Sequence, residues 1–206
     1  MQNYKRVASF LFPILSLFTF SQVNAEQVPS NFQTCIACHG DKGQGNPALN
    51  APVIAGQSVD YLTRQLSNFA TGKRGAHEKD MLGKQMVAFS QSVINGKELT
   101  SLVEYINKLP KPTLEKTIEG DMKNGSRYYQ AKCGACHGGK AEGNPAFKAP
   151  RLSQQDIDYI RRQMSNFTQG VRGIHKEDKL GRQMAMMAKT VSGKELEDIL
   201  FFISQQ

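Results

Sequence analysis

No cysteine of this 206-residue chain lies outside two five-residue stretches, Cys35-Ile36-Ala37-Cys38-His39 and Cys133-Gly134-Ala135-Cys136-His137, so all thiol chemistry is confined to them. No segment alternates apolar and polar residues as a half-buried strand does. That excludes a sheet architecture, and with it the βαβ setting in which a Cys-x-x-Cys dithiol pair usually works. The chain also lacks an apolar run of spanning length: Val7 to Phe20, interrupted by Pro13, falls short of the roughly 18 to 20 residues a membrane helix needs. Nor does any basic run interleave with aromatics. The surplus of 26 Lys+Arg over 18 Asp+Glu therefore does not read as a nucleic-acid stripe, and nucleic-acid binding is rejected.

What is present at the start is a secretory pattern. Lys5 and Arg6 precede the apolar run, and Val23-Asn24-Ala25 offers a small-residue cleavage site, so residues 1–25 are read as a signal peptide removed on export to the periplasm. Kept in place, the same segment would instead hold the protein at the membrane surface. Residues 26–206 suffice for two small domains. The charge is uneven: Glu26 to Pro110 carries eight basic and seven acidic residues, Thr113 to Gln206 fifteen and eleven, which makes the second half the face for an acidic partner.

The two cysteine stretches share one pattern, two thiols three apart with a histidine directly after. This is the attachment signature of c-type haem. Thiols on one helical turn reach the two vinyl groups, and the imidazole of the next residue comes to lie under the iron as an axial ligand. Four cysteines could make a zinc site, but zinc does not require a histidine after each pair. The pattern predicts two covalently bound haem c groups, on Cys35 and Cys38 with His39, and on Cys133 and Cys136 with His137.

Sliding the chain by 98 residues superimposes Cys35 to Met86 on Cys133 to Met184 without a gap, with just over half the positions identical. The chain is an internal duplication. Leu109-Pro110-Lys111-Pro112-Thr113 lies between the copies, and its prolines favour an extended linker. Domains are expected over 26–109 and 114–206, with a linker over 110–113. In the first copy Val59, Leu62, Leu66 and Phe69 recur at helical spacing after Ser58 as an N-cap, with Gly72 as a stop. Ile157, Ile160, Met164 and Phe167 repeat this between Asp156 and Gly170. A final apolar-periodic stretch carries Leu99, Leu102, Val103 and Ile106, or Leu196, Ile199, Leu200 and Ile203. Each copy reads as a few helices around a haem that supplies apolar surface a domain this small lacks.

The other face of each iron decides between electron transfer and chemistry on a small molecule. Of eight methionines, Met86 and Met184 alone superimpose after the haem motifs, within Gly83-Lys84-Gln85-Met86 and Gly181-Arg182-Gln183-Met184. They are expected to be the sixth ligands. Met81, Met186 and Met187 align with Lys179, Ala88 and Phe89 and are read as packing residues. His77 and His175 also superimpose, but they sit in a charged, glycine-containing stretch and are read as loop residues.

With these residues in view, the chain resembles the cytochrome c4 family, exported dihaem proteins of two class I cytochrome c domains. The resemblance runs through Pro52-Val53-Ile54-Ala55-Gly56-Gln57, Tyr61, Gln65, Gly72, Arg74 and Met86, and through Pro150, Gln155, Tyr159, Gln163, Gly170, Arg172 and Met184. It implies an all-α fold of two tandem domains. It also implies that the carbonyls of Pro52 and Pro150 accept a hydrogen bond from the ligating histidines, and that Tyr61, Arg64, Arg74, Tyr159, Arg162 and Arg172 meet the haem propionates. As to function, it implies an outer-sphere electron carrier of a respiratory chain and not an enzyme, taking electrons from a cytochrome bc complex or dehydrogenase and passing them to a terminal oxidase. The rival readings are a dihaem subunit of an oxidoreductase such as a sulfide dehydrogenase, and a haem peroxidase or gas sensor. One departure stands out. Gly125 and Tyr129, on a helix expected over Gly120 to Lys132, match the family's contact with the last helix, whereas the first copy has Gln27 and Asn31 there. The first domain is expected to be the less stable.

Overall fold

The structure, a computed structural model, describes residues 28–94, 97–115 and 118–206; the expected signal segment lies outside them. Apart from two isolated bridges, Asn46 to Ala51 and Asn144 to Ala149, every regular element among the described residues is helical. The first domain comprises a 3-10 turn (Ser30–Phe32), α1 (Gln33–His39), a second 3-10 turn (Pro47–Leu49), α2 (Val59–Ala70), α3 (Met81–Val93) and α4 (Lys97–Lys108). In the second domain α5 (Met122–Tyr129) continues through a π-type stretch (Gln130–Gly134) into α6 (Ala135–His137). A 3-10 turn (Pro145–Phe147), α7 (Ile157–Thr168), α8 (Lys179–Ala188) and α9 (Gly193–Ser204) follow.

The helix boundaries follow from capping chemistry. Ser58 Oγ accepts from the Tyr61 amide at 3.3 Å, and Asp156 Oδ1 from the Tyr159 amide at 2.6 Å, starting α2 and α7 where the sequence predicts. Both helices are followed by a glycine in the left-handed region, Gly72 at φ 71° and Gly170 at φ 73°. The expected helix over Gly120 to Lys132 begins two residues later, because the Asp121 side chain takes the Asn124 amide at 2.9 Å and caps at that point. Leu62, Val93, Leu102, Val103 and Ile106 form the first core, and Ile157, Ile160, Ile199, Leu200, Phe202 and Ile203 belong to the second.

The contact with the final helix is made differently in the two domains. Tyr129 is 0% exposed and its ring lies 4.9 Å from that of Phe202. A Cβ on Gly125 would overlap the Asp198 carbonyl oxygen, so α5 and α9 cross backbone to backbone. In the first domain Asn31 donates to the Glu98 carbonyl at 3.3 Å, and Gln27 lies outside the described residues. The aromatic that seemed to be missing there is Phe32, one position on, 0% exposed and edge-on to Tyr105 at 5.0 Å.

The domains meet about a pseudo-two-fold axis. The Gln57 side chain donates to the Arg151 carbonyl and accepts from the Arg151 amide, both at 3.0 Å. Gln155, its equivalent 98 residues on, makes the same pair with Val53 at 2.8 Å. Each domain thus presents one patch to its own copy in the other, the signature of an isologous interface.

Candidate haem sites

Each Cys-x-x-Cys-His stretch is helical to its histidine and breaks there. Gly40 and Gly138 follow at φ 80° and 82°, and the chain turns back over the imidazole. His39 Nδ1 donates to the Pro52 carbonyl at 2.8 Å, and His137 Nδ1 to that of Pro150 at 3.0 Å. Burial pushes the pKa of both rings down, which keeps them neutral. With Nδ1 committed as a donor, the Nε2 lone pair of each ring is the one available to a metal.

Burial raises the Cys35 thiol and pushes that of Cys133 up to about 11. A dithiol redox pair needs the opposite shift, toward thiolate. Among the described residues no three His, Cys, Asp or Glu side chains converge as a metal cage. The site therefore favours neither a dithiol redox pair nor a zinc site at the cysteines.

A single cavity of about 480 Å³, with mostly apolar walls, extends through both domains. Cys35, Cys38, His39 and Met86 line it in the first domain, Cys133, Cys136, His137 and Met184 in the second. The methionines reach it because α3 and α8 are held by close-packed glycines. The Asp80 carboxylate accepts from the Gly83 amide at 2.9 Å, and a Cβ on Gly75 would sit 2.6 Å from the Gly83 carbonyl oxygen. Asp178, Gly173 and Gly181 repeat the device in the second copy. His77 and His175 do not line the cavity; each folds its Nδ1 back onto a nearby amide, of Lys79 at 3.1 Å and of Glu177 at 3.2 Å. Met187, read as packing, does line it, one turn beyond Met184, where the first copy has Phe89.

Where the domains meet, the cavity wall is cationic. Arg74 donates to the side-chain oxygens of Gln65 at 2.7 Å and, across the interface, to Tyr159 and Gln163, both at 3.2 Å. Arg172 mirrors it with Gln163 at 2.7 Å, Gln65 at 2.9 Å and Tyr61 at 3.4 Å. Arg64 reaches the Lys148 carbonyl at 2.9 Å, and Arg162 the Asn50 carbonyl at 2.8 Å. Every one of these acceptors is neutral. The Nε of all four arginines, and Nη1 of Arg64, are buried with no protein partner. Burial would raise the Tyr61 phenol, yet Arg172, Arg74 and Arg64 outweigh it and bring its pKa to about 8. The Asp80 and Asp178 carboxylates act on Arg74 and Arg64 from the N-caps of α3 and α8, but two carboxylates against four guanidiniums leave the wall cationic and suited to anions. Propionate carboxylates have the charge and the two oxygens that the free guanidinium nitrogens call for. The residues present fit two haems.

Sequence reasoning did not foresee that Gln57, Gln155, Gln65 and Gln163 would tie the domains together. Their signal was available: all four are retained at the 98-residue offset although a glutamine gives no packing advantage.

The profile of the cytochrome c family matches residues 26–110 and again 122–206. Cytochrome c4 of Azotobacter vinelandii is 29% identical over 180 residues, covering 82% of each chain. A thiosulfate dehydrogenase electron acceptor of Thiomonas intermedia is 30% identical over 167 residues, 76% of this chain and 73% of the relative. The crystal structure of reduced recombinant cytochrome c4 from Pseudomonas stutzeri superimposes with a TM-score of 0.68 at 26% identity, covering 87% of this chain and 97% of that one.

Proposed function

Since the chain belongs to the cytochrome c family in its two-domain cytochrome c4 form, we propose that His39 and Met86 ligate the iron of one covalently held haem c and His137 and Met184 that of the other. Cys35, Cys38, Cys133 and Cys136 carry the thioether bonds. The protein is a dihaem electron carrier. When bound, haem supplies a one-electron couple between ferrous and ferric iron.

The chain's own residues do the rest. The Pro52 and Pro150 carbonyls fix the imidazoles, apolar walls exclude water, and the four arginines hold the carboxylates where the domains meet. The observation that carries this reading is that reciprocal arginine cluster. It gathers four guanidiniums from both pockets at one shared wall, so these residues would hold the propionates of both haems there, and an electron received by one domain would be within reach of the other. No substrate pocket is required, and we assign no catalytic residue.

The carrier would work in the periplasm after removal of residues 1–25, accepting electrons from a cytochrome bc complex or another dehydrogenase and passing them to a terminal oxidase. Among the described residues no helix is long and apolar enough to cross a membrane. A second reading of the donor is favoured by a specific relative: the Thiomonas protein is named as an electron acceptor of thiosulfate dehydrogenase, and a dehydrogenase of an inorganic sulfur compound would fit the same carrier.

Replacing Met86 or Met184 with alanine should turn one haem high-spin and open it to carbon monoxide while leaving the other unchanged. Retention of both low-spin spectra would contradict the ligand assignment. Carbon monoxide binding or peroxide turnover by the unmodified reduced protein would point instead to a peroxidase or gas sensor.

A further inference from the structure

The reciprocal interface departs from its symmetry at Arg151. Its backbone is clamped by Gln57 as that of Val53 is clamped by Gln155, but valine has been exchanged for arginine in the second copy. The side chain crosses into the first domain. Nη2 donates to the Ala55 carbonyl at 2.6 Å, and Nη1 to the Ser153 carbonyl at 3.0 Å and the Gln154 side-chain oxygen at 2.7 Å. Arg151 is 7% exposed, its Nε is buried without a partner, and the acceptors of its other nitrogens, two carbonyls and an amide oxygen, are all neutral.

A second departure accompanies the first. Gln154 stands where the first copy has Gly56, and both adopt left-handed backbone, at φ 56° and 66°. Glycine takes that conformation freely, whereas glutamine pays about 1 kcal/mol for it. The strained position is the one that turns an amide oxygen onto the Arg151 guanidinium. On the other side, a Cβ on Gly56 would lie 2.8 Å from Lys111 Cγ, so the glycine there makes room for the Lys111 stem, while Arg151 Nη2 would stand at ordinary contact distance, 3.5 Å.

This charge sits between the two proximal supports. Arg151 directly follows Pro150, the acceptor of His137, and the Ala55 carbonyl it holds belongs to the loop that begins at Pro52, the acceptor of His39. It also lines the shared cavity. Burial lowers its pKa, with no charged neighbour contributing, but guanidinium stays protonated in proteins. We propose that Arg151, oriented by Gln154, is a potential-setting residue: a fixed cation in the common wall that favours the ferrous state of the haems and makes the two domains electrostatically unequal. Adding one electron to a site removes one unit of positive charge, so a fixed cation nearby stabilises the reduced form, and in a dry wall solvent and salt screen it little.

The inference rests on the two-haem reading above. Redox titration of the holoprotein with mediators tests it, alongside the haem content and low-spin spectrum of each variant. R151V restores the residue of the first copy, and R151Q keeps hydrogen-bond donors while removing the charge. Both should lower the midpoint potential of at least one haem, raising the ferric-to-ferrous ratio at fixed solution potential roughly three- to tenfold. R151K should stay near the wild type, and the shift should persist at high salt. Two bound haems with potentials unmoved in both neutral variants would overturn the proposal. So would a fall in R151V with wild-type behaviour in R151Q, which would assign the effect to hydrogen bonding instead of charge. A haem stoichiometry below two in the wild type would identify a failure of the underlying reading instead.

Discussion

The two domains share a helical frame and a pocket but fasten their haem-motif helices differently. In the second, α5 runs into the motif and lies against α9 at a glycine crossing, and that crossing is bordered by charge. Asp198, buried, takes the Asp121 amide at 2.9 Å and Lys194 at 2.8 Å; Lys132 pairs with Glu195; Arg161 grips Glu197 at 3.0 and 2.8 Å. At the matching places the first domain has Ser101 for Asp198, Thr34 for Lys132, Thr63 for Arg161 and Thr100 for Glu197. There a 3-10 turn and one buried ring, Phe32, carry the contact with α4. Duplication preserved the pocket and let the fastening diverge. The haem chemistry constrains its residues one by one, whereas helix docking can be met by a ring, a crossing or an ion pair.

If that contrast is right, it can be widened most by F32A. Removing a fully buried phenylalanine should cost the first domain about 3 to 4 kcal/mol and split the denaturant unfolding of the holoprotein into two transitions, the first domain unfolding early; a single unshifted transition would contradict it. The contrast should be narrowed by G125A, whose methyl group must displace the Asp198 backbone. A loss of about 2 to 3 kcal/mol, confined to the second domain, is expected from forced overpacking. The double replacement R161T/E197T, which copies the first domain, should cost only about 0.5 kcal/mol, because the pair is partly exposed.

Acidification should act in the same direction as G125A. The Asp121 amide and then Lys194 hold the Asp198 carboxyl below its usual range, and the hydrogen bond from Arg161 does the same for Glu197. A carboxyl depressed in the folded state contributes stability above its unfolded pKa, near 4. That contribution is lost as pH falls through the folded value. The second domain's advantage should therefore be constant from about pH 6 to 9 and shrink below about pH 4, as followed by domain-resolved unfolding. An advantage that grows in acid would contradict this origin.

Much of this was legible in the sequence because it is periodic or repeated. The 3.6-residue pattern and its caps delivered α2, α4, α7 and α9, and the 98-residue offset separated Met86 and Met184 from six other methionines. Both line the cavity, as Met164 and Met187 also do. What stayed hidden depends on contacts without a sequence period. Phe32 lies one position off the expected register, and a 3-10 turn, not a helix, brings it into the core. The glutamine clamp needs two domains to be seen at all. Arg151 was visible only as one of four successive mismatches between the shared Pro52/Pro150 and Gln57/Gln155 of the duplication, and that its guanidinium crosses the interface is a property of the packed pair.

Electron carriage of the kind proposed requires two closed haem pockets. The most direct measurement is the far-red absorption of the purified ferric protein, where a methionine-to-iron charge-transfer band reports the sixth ligand, quantified against total haem. Two equivalents of that band per chain are predicted, each lost separately on replacing Met86 or Met184; one equivalent or none would mean that at least one iron is open or otherwise ligated, and would contradict the account.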